Sequence, residues 1–241
     1  MIQHRIVNCP CFDVVSKQEV ADFILDRIAR RDGGYTAAIN ALKIVKYNKD
    51  PEARKIIDEA ILQTPDGFGA VHGFRILLRK KVIKLDLPGL ALDIANRNKL
   101  KVFFLGASEE NNSLAVDNVR NKYPGIEITG RNNGFFKNLD VLFSKLEHNQ
   151  PQLVMIAMGS PKQEKVSAEL HEKFPGILFV GCGGRLDLLA GKLQRAPDLL
   201  IRWNLEWLYR LVRQPSRVRQ QLGLLTFLYM LYTYRLFGSD R

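Results

Sequence analysis

The first 194 residues alternate short apolar runs with longer stretches whose apolar residues recur at helical spacing. This alternation constrains the fold more than any other feature of the chain. It predicts strands over Tyr35–Asn40, Lys101–Leu105, Ile126–Thr129, Leu153–Met158 and Ile177–Val180. Between them, residues 41–48, 51–62, 87–98, 113–122, 139–147 and 161–173 read as helices. Strand–helix alternation of this kind argues an α/β chain with a parallel sheet and helices on both faces. Several runs end in Asn or Gly, at Asn40, Gly106, Gly130, Gly159 and Gly181. In such sheets ligands bind beyond the carboxyl ends of the strands.

After Gly191 the alternation stops. Residues 197–212 and 216–236 read as two helices parted by Pro215. The chain therefore divides into a Rossmann-like core, 1–194, and a C-terminal helical appendage, 195–241. With 241 residues, 46% of them hydrophobic and 25% charged, a full core is expected and wholesale disorder is not. No uncharged apolar run of about 18 residues occurs, so no membrane span is expected. The N-terminal residues lack the apolar stretch of a secretory signal. Cys9, Cys11 and Cys182 are odd in number and form no Cys-x-x-Cys pair, which fits a reducing compartment and no structural zinc.

The formal net charge is +11, and it is concentrated. Residues 195–241 hold eight Arg, no Lys and three acids. Guanidinium groups pair with phosphate through two hydrogen bonds, whereas an ammonium is a hydrated point charge. The tail thus suits nucleic acid, an anionic membrane surface or a phosphorylated substrate. Leu222–Tyr234 carries no charge and is rich in Leu, Phe, Met and Tyr. It is too short to cross a bilayer and suits a helix lying in the interface. A buried core helix or a dimerisation helix fits the same residues, so homo-oligomerisation stays open. Nucleic acid fits less well and is not expected, because the aromatics and the charges are segregated rather than interleaved.

Four stretches carry chemistry. Thr64-Pro65-Asp66-Gly67 reads as a turn, or as a loop that sets Asp66 over the ligand crevice as a general base. Gly106-Ala-Ser-Glu-Glu opens a helix, either as an ordinary Ser-capped turn or as a phosphate cradle. Gly159-Ser-Pro-Lys-Gln-Glu164 begins another helix, whose Gln163 and Glu164 suit sugar hydroxyls, with capping by Glu164 as the plainer alternative. Gly181-Cys-Gly183-Gly184 lacks the spacing of a dinucleotide fingerprint. There is no P-loop and no Asp-x-Asp pair, so Arg and backbone dipoles would have to neutralise a diphosphate.

Taken in order, these stretches resemble one family. Pro65-Asp66-Gly67, Phe104-Leu-Gly106, Tyr123-Pro-Gly125, Gly130-x-x-x-Gly134-Phe-Phe136 and Gly159-Ser-Pro-Lys-Gln-Glu164 are its earlier blocks. Gly181-x-Gly-Gly184-x-x-Asp187-x-x-Ala-Gly191, Arg195-Ala-Pro197 and Glu206-Trp-Leu-Tyr-Arg210 follow. The set is similar to the WecG/TagA/CpsF glycosyltransferases, over essentially the whole chain from about Tyr35.

The resemblance implies an inverting enzyme of bacterial cell-surface polysaccharide synthesis that uses no metal or other cofactor. It implies transfer of a sugar from a UDP-sugar to a polyprenyl-diphosphate-linked acceptor, peripherally, at the cytoplasmic face of the inner membrane. Asp66 matches the catalytic base, Asn40 the Asn ending the first strand, and Gln163 the Gln near the sugar. Arg210 and Arg217 match appendage arginines, with Arg217 expected near the diphosphate. Gly106, Glu164, Gly183 and Gly184 complete the expected binding set. The sequence departs from the family at Ala38, where Thr is usual, and at Lys81 and Lys84, in place of an Arg-x-x-Gly stretch. These departures support an alternative, a non-catalytic UDP- or nucleotide-binding protein of the same fold.

Overall fold

The computed structural model describes residues 1–192 and 218–238. The central strands are buried on both faces. In β7 (Leu153–Ala157), Leu153, Met155 and Ala157 face one layer of helices, and Val154 and Ile156 face the other. β5 (Lys101–Gly106) and β8 (Leu178–Gly181) split in the same way. Such strands are buried on both faces, which is why they read as continuous apolar runs. With β3 (Gly34–Ile39), β4 (Leu62–Pro65) and β6 (Glu127–Asn132) they form one six-stranded sheet, ordered β4-β3-β8-β7-β5-β6. All of its pairings are parallel.

One face of the sheet is covered by α1 (Lys17–Ala29), α5 (Leu87–Asn98), α6 (Glu109–Lys122) and α9 (Arg185–Leu189). The other is covered by α2 (Ala41–Lys49), α3 (Pro51–Glu59), α4 (Gly67–Leu78), α7 (Asp140–Asn149) and α8 (Lys162–Lys173). The last described element, α10 (Val218–Phe237), joins this second layer: Phe227 and Leu231 are fully buried in it. The chain leaves β5 into α6 on one face and leaves the adjacent β7 into α8 on the other. It likewise leaves β3 and β8 on opposite faces. These divergences open a crevice at the carboxyl edge.

Within the described residues the expected strands and helices are present, with differences that have local causes; the helix expected over 197–212 lies outside them. The helix expected to run to residue 62 stops at Glu59, and Leu62–Pro65 becomes β4. Gly130 lies inside β6 rather than at its end, packed against the Phe103 ring. An N-terminal hairpin of β1 (Gln3–Ile6) and β2 (Cys9–Phe12) was not expected. Its two-residue turn, Val7-Asn8, has φ of 49° and 66°. Two-residue hairpin turns favour Asn-Gly or Asp-Gly, and Val in that place hides the signal. α4 was missed because Gly67, Gly69 and Gly73 are poor helix formers. Close packing requires two of them: a Cβ at Gly69 would lie 2.6 Å from the Ala41 side chain, and one at Gly73 would lie 2.4 Å from Ile6.

The hairpin is held to the body by Asp13, which accepts from the Ile2 N–H, from Lys80 at 2.6 Å and pairs with His4 at 3.1 Å. Burial works against its charge, but Lys80, the Ile2 N–H and His4 overcome this and take its pKa from 3.8 down to about 2. A carboxylate with a depressed folded-state pKa stabilises above its ordinary pKa, and that contribution is lost as pH falls through the folded value. Asp13→Asn should therefore unfold at lower temperature than wild type at pH 7, with the gap closing between pH 4 and pH 2. A gap independent of pH in thermal melts would refute this.

The glycines make a second test. Gly106 has φ of +118°, and a Cβ there would lie 2.1 Å from the Ala157 carbonyl oxygen. Gly159 has φ of +71° but nothing within 4 Å. Gly159→Ala should cost only left-handed strain, about 1–2 kcal/mol. Gly106→Ala should cost clearly more, as measured by denaturant unfolding.

Candidate functional site

Several long helices begin at the carboxyl edge of the sheet, and four of the expected residues, Asn40, Asp66, Gln163 and Glu164, stand at or beside their starts. Asn40 ends β3 and caps α2, its Oδ1 accepting from the Lys43 N–H at 3.1 Å. One strand away, Asp66 ends β4 and occupies the cap position of α4, where its side chain makes no capping hydrogen bond. It is half-buried, and its N–H donates to the Ile39 carbonyl at 2.8 Å. The two helix starts touch where Gly69 meets Ala41. Asp66 and Asn40 therefore share one corner of the crevice.

The neighbouring strand ends are glycine loops. Gly181 leads from β8 into Gly183, at φ +54°, and Gly184, which precedes α9. Gln163 crosses from the start of α8 to this loop. Its Oε1 accepts from the Gly183 N–H at 2.9 Å, and its Nε2 donates to Glu164 Oε1 at 3.0 Å. A Cβ at Gly181 would lie 2.7 Å from that Nε2, so the amide needs glycine there. Glu164 is buried and pairs with the buried Lys43 at 2.7 Å. Its second oxygen, Oε2, has no hydrogen-bond partner. Cys182 lies within this loop, and its pKa is pushed up to about 12, chiefly by burial with a smaller push from Asp86, against Arg185 and the Ile156 N–H. It is an inert thiol rather than a nucleophile.

On the other side of the crevice, Gly106 turns into Ala107 and Ser108, and Ser108 caps α6 by accepting from the Asn111 N–H. Buried Asn112 ties this turn to the end of β6, donating to the Gly106 and Asn132 carbonyls at 2.8 and 3.0 Å. Arg185 pairs with Asp86 at 2.8 Å, and Asn111 donates to Asp187 at 2.7 Å. Among the described residues no three His, Cys, Asp or Glu come together as metal ligands.

The structure thus gathers Asn40, Asp66, Gly106, Gln163, Glu164, Gly183 and Gly184 along one edge. Arg210 and Arg217 lie outside the described residues. Ala38 sits in register with Thr64, whose buried Oγ1 has no hydrogen-bond partner. Sequence reasoning did not single out Lys43. The available signal was a lysine three residues after Asn40, next to Ile44 on the buried face of a helix.

The appendage helix reaches this corner. Gly223 of α10 packs on Leu42, two residues past Asn40. Tyr232 hydrogen-bonds His72 at 3.2 Å, and His72 stacks on Phe68, two residues past Asp66. Burial, and then Arg75, lower the pKa of His72. On the far side of α10, Leu225, Tyr229 and Leu236 form an exposed stripe at i, i+4 and i+11, with Phe237 exposed beside it. No described helix is long and apolar enough to cross a membrane.

Over 179 residues the chain is 33% identical to an N-acetylglucosaminyldiphosphoundecaprenol N-acetyl-beta-D-mannosaminyltransferase of Bacillus spizizenii, covering 73% of this chain and 70% of that one. A Bacillus subtilis protein of the same name is 28% identical over 200 residues, covering 82% and 78%. The model of the glycosyl transferase WecG/TagA/CpsF family matches residues 4–241, and the chain therefore belongs to that family of glycosyltransferases.

Proposed function

We propose that the protein transfers a sugar of N-acetylmannosamine type, or a related hexose, from a UDP-sugar to a polyprenyl-diphosphate-linked saccharide in bacterial cell-surface polysaccharide synthesis. The names of both relatives specify an N-acetylmannosaminyl group and a diphosphoundecaprenol-linked acceptor. The observation that carries the reading is Asp66: a half-buried carboxylate at a strand's carboxyl end, beside Asn40 at the end of the neighbouring strand.

The proposed reaction is a single displacement with inversion. The acceptor hydroxyl attacks the anomeric carbon and gives its proton to the Asp66 carboxylate as the new C–O bond forms. The bond from that carbon to the UDP oxygen breaks, and UDP leaves with the electron pair. No divalent cation takes part in this scheme. The charge growing on UDP is met by Arg217 and Arg210, and by the positive starts of α6 and α8 beside the Gly106 and Gly183–Gly184 loops. Gln163 and Asn40 orient the donor.

Asp66→Asn should lower kcat by about 10²–10⁴ while leaving UDP affinity, measured by calorimetry, within a few-fold. Turnover at the wild-type rate would reject Asp66 as the base. Wild-type protein that binds UDP yet releases none from any UDP-sugar with a polyprenyl-diphosphate sugar acceptor would favour the non-catalytic alternative.

We further propose peripheral attachment at the cytoplasmic face of the membrane through the exposed stripe of α10 and the Arg-rich appendage. Replacing Leu225, Tyr229 and Leu236 together with Ser should weaken co-sedimentation with phosphatidylglycerol vesicles by at least about tenfold, since each apolar side chain contributes on the order of 1.5–3 kcal/mol. The melting temperature should hardly change, because these side chains are exposed. Unchanged vesicle binding would remove α10 from the membrane contact.

A further inference from the structure

The buried ion pair between α2 and α8 lies close to the crevice without being exposed to it. Lys43 and Glu164 are 8% and 5% exposed, and their 2.7 Å contact joins residues 121 positions apart. Burying two charges is costly, and an apolar pair often packs as well or better. A lysine and a glutamate placed here therefore suggest a requirement beyond stability.

The contacts supply one. Glu164 Oε1 takes both the Lys43 ammonium and the Gln163 Nε2–H, and so accepts from two donors at once. This fixes which way the Gln163 amide faces: its nitrogen toward Glu164, its oxygen toward the Gly183 N–H. Turned over, the amide would set oxygen against carboxylate and NH2 against N–H. Lys43 in turn lies in the first turn of α2, where its own N–H is held by Asn40. One chain of polar contacts thus runs from Asn40 at the end of β3, through α8 at the end of β7, to Gly183 at the end of β8.

We propose that Glu164 is a positioning residue for the transfer reaction, with Lys43 offsetting its buried charge: it locks the Gln163 amide and, through it, the Gly183–Gly184 loop that receives the donor. Glu164 acts through its neighbours rather than by gripping a sugar hydroxyl. The inference rests on the proposed function, since Gln163 and the glycine loop matter only if the donor binds there.

Two double variants separate positioning from charge. Lys43→Met with Glu164→Gln is neutral and keeps an acceptor for Gln163 Nε2. Lys43→Met with Glu164→Leu is neutral and keeps none. Hydrogen exchange at Gly183 should stay near wild type in the Gln variant and quicken at least about tenfold in the Leu variant, at matched melting temperature. Donor kcat/KM should fall about tenfold in the Leu variant relative to the Gln variant.

Equal exchange at Gly183 in the two variants would overturn the proposal, as would losses of activity that follow melting temperature alone. If the Leu variant fails to fold, Lys43→Met/Glu164→Ala takes its place with the same expectation. The exchange measurement needs no turnover. A wild-type protein without transferase activity therefore sinks the proposed reaction, while equal exchange sinks the lock.

Discussion

The contact on which the candidate site depends is the glycine face of α4, packed against the start of α2 and against the Ile6 side chain of the hairpin. A side chain at Gly69 or Gly73 would push α4 away from Ala41 or Ile6. Because Asp66 and Asn40 are the cap residues of these two helices, that approach brings a carboxylate and an amide into one corner. The same pair of helices forms the platform on which α10 rests, with Gly223 on Leu42 and Tyr232 on His72. Site and appendage are therefore coupled through a contact that contains no catalytic group.

Around that corner the fold concentrates positive potential without a metal cluster among the described residues. α2, α4, α6 and α8 all begin at the carboxyl edge of the sheet. Each helix start carries the equivalent of roughly half a positive charge from its unpaired N–H groups. Glycine at 106, 159 and 183 turns the backbone there through φ values that other residues avoid. An anionic group approaching this edge meets main-chain donors with few side chains in the way, an environment suited to a diphosphate.

α10 bears out the core reading of Leu222–Tyr234 on one of its sides. A single apolar segment of that length can be core or interface. In the structure Phe227 and Leu231 complete the second layer of the core, while Leu225, Tyr229 and Leu236 remain outside. The buried side anchors the helix to the domain, so that its outer side is held in a fixed position relative to Asp66.

Much of this was legible in the chain. Burial on both faces of β5, β7 and β8 produced the apolar runs, and Ser108 marked a helix start, because caps and apolar runs are properties of a few adjacent residues. The same holds for Asp66, Gln163 and the glycine loops, whose residue types and spacing pointed to the strand ends. What stayed hidden depends on contacts distant in sequence. The helix over 67–78 is unfavourable by propensity and exists because its glycines meet Ala41 and Ile6. The hairpin turn uses Val7 where a local rule would want Asn or Gly. Lys43 reads as a surface residue until Glu164, 121 positions on, is placed beside it. The sequence by itself determined the α/β class, since that follows from local pattern, and pointed through motif and family resemblance to residues at the carboxyl edge. The tertiary structure alone decided which helices touch, which charges are buried and how Gln163 faces, because each is settled by atoms that only folding brings together.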